Sequence, residues 1–408
     1  MTLLIKLAWR NVMRNRRRAL LSGFAVGITL ASLMLIDALY LGMMDSMIRT
    51  ATDTFLGHAQ IHSKGFKDTF EVENTIKGSD NIIQSLSKEK LLSGFSPRTV
   101  SFGMLSSAAG VNSIMLYGID PEREKNISII DEAITQGEYL DREKELQLII
   151  GAKAAETLEV ELGDRVVLTV AQATTGELSQ EMFRLSGIFQ MGIREADSGM
   201  AFINIKKAQQ LLSIGNSTHE IALKFHDIND AGDPSLDFWN KYSKDGNEAE
   251  GWKELVPQLE SIIDMTEVST IITSSLVFCI VVVIIMHALF MSLYERMFEF
   301  GVLRAIGTRP MNMALIIFIE ATSLSLISII LGTLLGLIVI SLLAYYGIDY
   351  KGIEFAGVTI TELLYPELAL KQFTLYPVLI FIFSLTAAIY PAVFAAKMTP
   401  AKAMQRSL

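Results

Sequence analysis

The chain has 408 residues, 50% of them hydrophobic and only 19% charged, with a mean hydropathy of +0.38. A charged fraction below the usual quarter of soluble domains points to a membrane protein with a sizeable soluble part. The net charge of −9 argues against a nucleic-acid partner, and the single cysteine, Cys279, excludes an intrachain disulfide framework or a cysteine metal cluster.

Residues 1–18 carry Lys6, Arg10, Arg14, Arg16, Arg17 and Arg18 without an acid. With Trp9 they read as a cytoplasmic amphipathic helix along the inner membrane surface. Four apolar runs then match the length of a bilayer span: 19–41, 268–293, 311–343 and 373–396. The first is too long for a signal peptide and no small-x-small site follows it, so an uncleaved anchor is expected. The tail 397–408 carries Lys397, Lys402 and Arg406 and no acid. By the positive-inside rule both ends lie in the cytoplasm, and residues 42–267 form a large domain outside. That domain holds 36 acids and 21 bases, a net charge of −15 against −9 for the whole chain.

Gly23 and Gly27 form a GxxxG pair on the first span, read either as packing against a helix of the same chain or as a dimer seam. Beyond Asp37, Met43 with Met47 and Met44 with Ile48 recur at helical spacing. The first helix is therefore expected to continue out of the membrane as a stalk, and Glu254–Thr273 mirrors it before the second span. Strands are expected at 58–63, 113–119, 145–151, 164–171, 183–189, 199–205 and 220–225, and helices at 81–92, 152–160 and 205–213, which makes a mixed α/β domain. Asp227–Gly251 reads as a flexible surface insertion. His58 and His62 alternate like a strand and read as a polar-face pair rather than a metal site. The outer loop 344–372 contains GIEFAGVTI, expected to form a small hairpin.

No GxxxxGK[ST] phosphate loop, GxSxG elbow, HExxH or CxxC occurs. The chain is therefore expected to be no enzyme, to bind no cofactor or metal, and to take its energy from another polypeptide. Asp37, His287 and Glu320 fall in or beside the spans, where ionisable groups are costly. Asp37 is expected to reach the interface, and Glu320 to face a helix partner or a wet cavity. Between the second and third spans, Tyr294–Pro310 (YERMFEFGVLRAIGTRP) reads as a charged cytoplasmic loop. Gly301 and Gly307 permit turns there, and Arg296, Glu299 and Arg304 offer charged contacts to a partner.

This segment resembles the signature R-x-x-E-[IF]-G-x-[LM]-R-A-[LI]-G of FtsX-like ABC permeases, carried by Arg296, Glu299, Phe300, Gly301, Leu303, Arg304, Ala305 and Gly307. LAWRNVMRNRRRALLS, IGAKAAETLEVELGD and YPAVFAAKMTPAKAMQ are similar to other motifs of that family, and YGIDPEREKNIS and GIFQMGIREADSGMAFINIKKAQQLL resemble its lipoprotein-releasing members. The resemblance implies a bacterial inner-membrane permease with four transmembrane helices and a large mixed α/β periplasmic domain, divided into a porter-like part and an insertion at about 103–200. It implies a cytoplasmic ABC ATPase dimer that binds ATP and Mg, a second permease copy or paralogue, and a periplasmic carrier or adaptor. Its cargo is lipoprotein or other lipid-bearing molecules, moved by mechanotransmission. The coupling contacts it implies run from Glu295 through Gly307. AQATTGELSQEM (171–182) is shorter than the hook of the chaperone-docking relatives and lacks proline. The alternatives are tripartite efflux of toxins or peptides, and a transport-free permease that controls a cell-wall hydrolase. Met34, Tyr40, Met43, Met44 and Met47 read as cargo-cavity lining, since thioethers adapt to variable acyl chains, or else as helix packing.

Overall fold

The computed structural model describes residues 14, 16–349, 354–355, 358–359 and 363–399. The expected amphipathic helix of residues 1–13, most of GIEFAGVTI, and the end of the tail lie outside the described residues. The chain forms two compact units, Met1–Asp45 with Ile263–Tyr350 and Glu362–Leu408, and Ser46–Ile262 with Lys351–Thr361.

In chain order, helix α1 (Arg16–Ala51) runs into a π-helical turn, Thr52–Leu56, and is followed by β1 (Ala59–Ser63), α2 (Ser79–Leu86), β2 (Leu92–Ser106) and β3 (Val111–Ile119). Next come β4 (Ile134–Gly137), β5 (Gln147–Gly151), α3 (Ala152–Leu158), β6 (Arg165–Ala171), β7 (Leu178–Phe189), β8 (Met200–Asn204), α4 (Ile205–Leu212), β9 (Glu220–Phe225) and β10 (Asn247–Gly251). Helices α5 (Pro257–Glu295), α6 (Met297–Ala305) and α7 (Pro310–Tyr346) precede the two-residue pair β11 (Glu354–Phe355) and β12 (Val358–Thr359), and α8 (Leu370–Ala396) closes the described chain. Among the described residues, four helices are long and apolar enough to cross a membrane, in the regions Ala19–Leu56, Pro257–Glu295, Pro310–Tyr346 and Leu370–Ala396.

The α/β unit is built on one ten-stranded mixed sheet, ordered β10-β1-β9-β2-β3-β8-β5-β7-β4, with β6 paired to β2 and β7. Its longest strand, β2, has no counterpart among the expected strands. Gly94, Pro97 and Gly103 interrupt its alternation, and proline ordinarily demotes a strand. Tertiary pairing overrides that: residues 92–98 pair β9 and residues 103–106 pair β6. Gly103 eases the second pairing, because a Cβ there would press on Val170 Cγ1 at 3.0 Å. Residue 103, the expected start of the insertion, thus lies inside a continuous strand. Helices α3 and α4 cover one apolar core of this sheet, with Ala154, Leu158, Ala208 and Leu212 packed on Leu105, Leu116 and Phe183.

Two further expectations change. Asp227–Gly251 is ordered structure rather than a flexible insertion: Phe238 and Tyr242 are buried, and β10 pairs β1 as the edge of the sheet. Several of the polar residues that suggested flexibility lie inside these pieces, Asp237 and Asn240 in a short helix and Asn247 in β10. His58 and His62, expected as a polar-face pair, are both buried. His58 Nδ1 accepts the Phe225 amide at 3.2 Å, and its Nε2 faces Asp53 Oδ1 at 3.4 Å. The short 171–182 stretch joins the end of β6 to the start of β7 through a tight turn in which the Gly176 amide donates to the Gln172 carbonyl at 3.0 Å.

At the centre of this unit, β2 buries Arg98 completely. Its Nε and Nη2 donate to the two carboxylate oxygens of Glu124 at 3.1 and 2.6 Å, and Nη1 donates to Glu220 Oε1 at 2.8 Å. Nη2 also meets the Phe55 carbonyl at 2.6 Å, and the guanidinium lies 4.0 Å from the centre of the Phe55 ring. Lys67 takes the second oxygen of Glu220 at 2.7 Å. Burial alone would raise the Glu220 pKa, but Lys67 and Arg98 overcome it and hold the group at about 2.

In the helical unit, α1 and α7 approach closely. A Cβ on Gly27 would lie 3.1 Å from Gly332 N, one on Gly332 would lie 2.6 Å from Gly27 O, and one on Gly23 would meet Ile327. The small residues therefore serve packing within the chain, and the reading of Gly23 and Gly27 as a dimer seam is set aside. Leu30, Leu33, Val281, Ile317 and Ile380 fill the core, and Phe278 stacks on Phe383 with ring centres 4.9 Å apart.

Candidate functional site

The segment between the second and third spanning helices is not a loop. The chain breaks helical geometry at Arg296 (φ −111°, ψ 16°) and resumes as the nine-residue helix α6. Helix α6 ends at Gly307, whose φ of +92° is the left-handed conformation glycine tolerates, and the Thr308 amide closes the end on the Leu303 carbonyl at 3.0 Å. Pro310 then starts α7 at its first turn.

Helical winding sorts the expected residues onto two faces. Arg296 and Phe300, four apart, are buried, as is Gly301. Arg296 Nε donates to Glu299 Oε2 at 3.1 Å, and Nη1 approaches Glu320 Oε2 of α7 at 3.4 Å. The guanidinium also lies 5.1 Å from the Phe300 ring centre. Glu320 is buried and accepts a second hydrogen bond from Ser292 Oγ of α5. It therefore has helix partners, the first of its two expected settings. Glu299 extends the chain of charges outward, accepting from Arg14 Nη2 at 2.8 Å. Burial would raise the Glu299 pKa, and hydrogen bonds from Arg14 and Arg296 more than offset that and lower it. Arg304 donates to two backbone carbonyls, Thr308 at 2.9 Å and Met398 at 3.4 Å. These contacts tie α6 to its own chain. Leu303 is half-buried, and Glu295, Ala305 and Gly307 are exposed.

The outward face is apolar. Phe298, Val302 and Ile306 repeat every four residues and are 51%, 41% and 76% exposed, and Met311 beyond the turn is 70% exposed. Sequence reasoning missed these residues because the charges drew attention. The signal was present as a second helical stripe in MFEFGVLRAIG, offset by half a turn from Arg296 and Phe300.

At the other end of the helical unit, Asp37 is held by a neighbouring helix. It is buried and accepts from the Tyr376 hydroxyl of α8 at 2.7 Å. His287 lies on the exposed side of α5. Of the expected cavity residues, Met34, Met44 and Met47 are buried, and Met34 packs against Gly336, where an added Cβ would meet its sulfur at 3.2 Å. Tyr40 and Met43 are half-buried, and the Tyr40 hydroxyl reaches the Ile263 carbonyl at 3.5 Å. Among the described residues, one group combines imidazole and carboxylates at metal-binding distances: His62, Glu248 and Glu250.

Residues 271–400 match the family model FtsX-like permease C-terminal, so this part of the chain is an FtsX-like permease domain. Two relatives are lipoprotein-releasing system transmembrane proteins. LolC of Xylella fastidiosa strain 9a5c is 22% identical over 307 residues, 71% of this chain and 72% of that protein. LolE of Haemophilus influenzae is 23% identical over 409 residues, 97% of this chain and 96% of that protein. The periplasmic region of MacB from Actinobacillus actinomycetemcomitans is similar at a TM-score of 0.35 and 17% identity, covering 50% of this chain and 92% of that one. The extracellular domain of the noncanonic ABC-type transporter YknZ from Gram-positive bacteria is similar at a TM-score of 0.34 and 12% identity, over 47% and 98%.

Proposed function

We propose, from the premise that residues 271–400 form an FtsX-like permease domain, that the chain is the permease subunit of an ABC transporter that extracts lipoproteins or similar lipid-bearing cargo from the outer leaflet of a bacterial inner membrane. Helix α6 carries the reading. It is a short helix between two spans, fixed on one side by buried charges and presenting an apolar stripe of Phe298, Val302 and Ile306 on the other. A separate ATPase dimer docks on that stripe, and ATP and Mg bind there rather than to this chain. Arg296 and Glu320 pass its movement to α7.

In this reading both termini are cytoplasmic and the acidic α/β unit is periplasmic, a placement supported by the arginines at 14–18 and the net charge of −15 over 42–267. Helices α1 and α5 contribute residues to both compact units, which gives force a continuous helical route. Two permeases face each other, as a second copy or a paralogue, and Tyr40 and Met43 at the far ends of the spans meet the cargo. The two Lol relatives, one of which aligns over nearly its whole length, favour lipoprotein over soluble cargo.

A photo-reactive residue in place of Phe298 or Ile306, activated in cells, is expected to capture the ABC ATPase, and one in place of Met43 to capture acylated lipoprotein. Absence of the ATPase from the Phe298 and Ile306 products would sink the docking assignment. A soluble toxin captured at Met43 would shift the cargo to efflux.

A further inference from the structure

Strands β1 and β10 lie antiparallel with His62 opposite Glu248 and Gln60 opposite Glu250. Glu248 and Glu250, two apart on one strand, stand on the same sheet face as His62. The His62 side chain is fully enclosed, while Glu248 and Glu250 keep 26% and 30% of their side-chain surface open. His62 Nδ1 lies 3.2 Å from the Ser63 carbonyl oxygen. A carbonyl only accepts, so Nδ1 carries the proton and the ring presents Nε2 to Glu250 Oε2, 3.1 Å away. Glu248 Oε1 lies 3.4 Å from the other ring nitrogen, Nδ1, and is steadied by the Gly65 amide at 2.9 Å, so it reaches an ion held at Nε2 by turning its side chain across the ring face. One ligand atom from each of the three residues lies within 4.8 Å of the others.

We propose that His62, Glu248 and Glu250 form a binding site for a divalent transition-metal ion of the zinc class. Two carboxylates beside an imidazole present excess negative charge, and Lys67, the cation whose charge reaches Glu250, is committed to Glu220 at 2.7 Å. The 3.1 Å gap between Nε2 and Oε2 suits two ligands of one ion, since ligands at about 2.0–2.1 Å from tetrahedral zinc lie roughly 3.3 Å apart. The support around the ligands is of the kind metal sites use: the second ring nitrogen is held by a backbone carbonyl and one carboxylate by a backbone amide. An imidazole in the set selects zinc-like ions over calcium or magnesium, which take oxygen ligands. The partly open carboxylates give the ion access and leave a fourth position to water. The ion's effect is to fasten β10, the edge of the sheet, to β1. These strands follow the first long helix and precede the second, so the ion clamps the two ends of the α/β segment to each other.

The test uses the full-length chain in detergent, carried on a histidine-free tag and stripped with chelator. Zn2+ is titrated against a chromogenic chelator, and the thermal midpoint is followed with and without the ion. One equivalent of Zn2+ is expected to compete with the dye and raise the midpoint. Glu250→Gln and Glu248→Gln, which keep side-chain shape, are each expected to weaken binding by about tenfold or more, and the double variant to abolish the midpoint shift. Equal binding by wild type and the double variant, or an unchanged wild-type midpoint with Zn2+, overturns the site. An equal midpoint rise with Ca2+ overturns the assigned ion class. None of these readouts depends on transport or on an ATPase.

Discussion

Arg98 in the α/β unit and Arg296 in the helical unit stand in matched settings, each with two glutamates and a phenylalanine ring, yet the two settings close to different degrees. Around Arg98 every guanidinium nitrogen donates, at 2.6–3.1 Å, and neither the arginine nor Glu124 has any exposed side-chain surface. Around Arg296 one contact stretches to 3.4 Å, and the second partner, Glu299, is 43% exposed and shared with Arg14. A buried pair with all its hydrogen bonds made is costly to break, whereas a partly wetted pair exchanges partners at little cost. The first arrangement fixes one fold; the second leaves Glu299 able to exchange between Arg296 and Arg14.

Removing one member of each cluster separates the two roles. Arg98→Met leaves Glu124 and Glu220 buried without their cation and is expected to destabilise the α/β unit by about 3–5 kcal/mol. Denaturant unfolding followed through Trp239 and Trp252, both in that unit, reads the loss. Replacing Glu124 and Glu220 by leucine in the same variant is expected to restore part of it, and no restoration would contradict a purely electrostatic origin.

Acid probes the same cluster without mutation. Glu220 has its folded pKa lowered from 4.5 to about 2, so its contribution is fully present above about pH 4.5 and is lost as pH falls through about 2. The loss is of order 3 kcal/mol and is expected to vanish in the variant lacking Glu220. Gly332→Ala forces a Cβ to 2.6 Å from the Gly27 carbonyl and is expected to cost the helical unit about 1–3 kcal/mol in thermal unfolding. The smallest stability change is expected at Glu320→Gln, about 1 kcal/mol or less, since the amide keeps the Ser292 contact and loses only a long ion pair.

Much of this was legible in the residues. Apolar runs located the four spans because a bilayer imposes length and hydropathy on each helix independently of its neighbours. Strands with clear alternation, such as 113–119 and 220–225, were legible for the same local reason. Strand β2 was not, because its Gly94, Pro97 and Gly103 make sense only beside β9 and β6. Within the candidate site, the motif marked the seventeen-residue segment Tyr294–Pro310, yet the direction in which its charges point depends on Glu320 and Arg14, at 24 and 285 residues' separation. Sequence spacing within the segment does not carry that information. The partner of Asp37 was hidden for the same reason, since Tyr376 lies 339 residues away.

One comparison tests the proposed function most directly, in the complex of this chain with the proposed partner permease and ATPase reconstituted in lipid: ATP-driven release of lipoprotein, the proposed cargo, by Glu320→Gln against wild type. The complex is expected to assemble and hydrolyse ATP, with release per ATP falling about fivefold or more. Unchanged release per ATP in a fully assembled Glu320→Gln complex would contradict a coupling role for the Arg296–Glu320 contact.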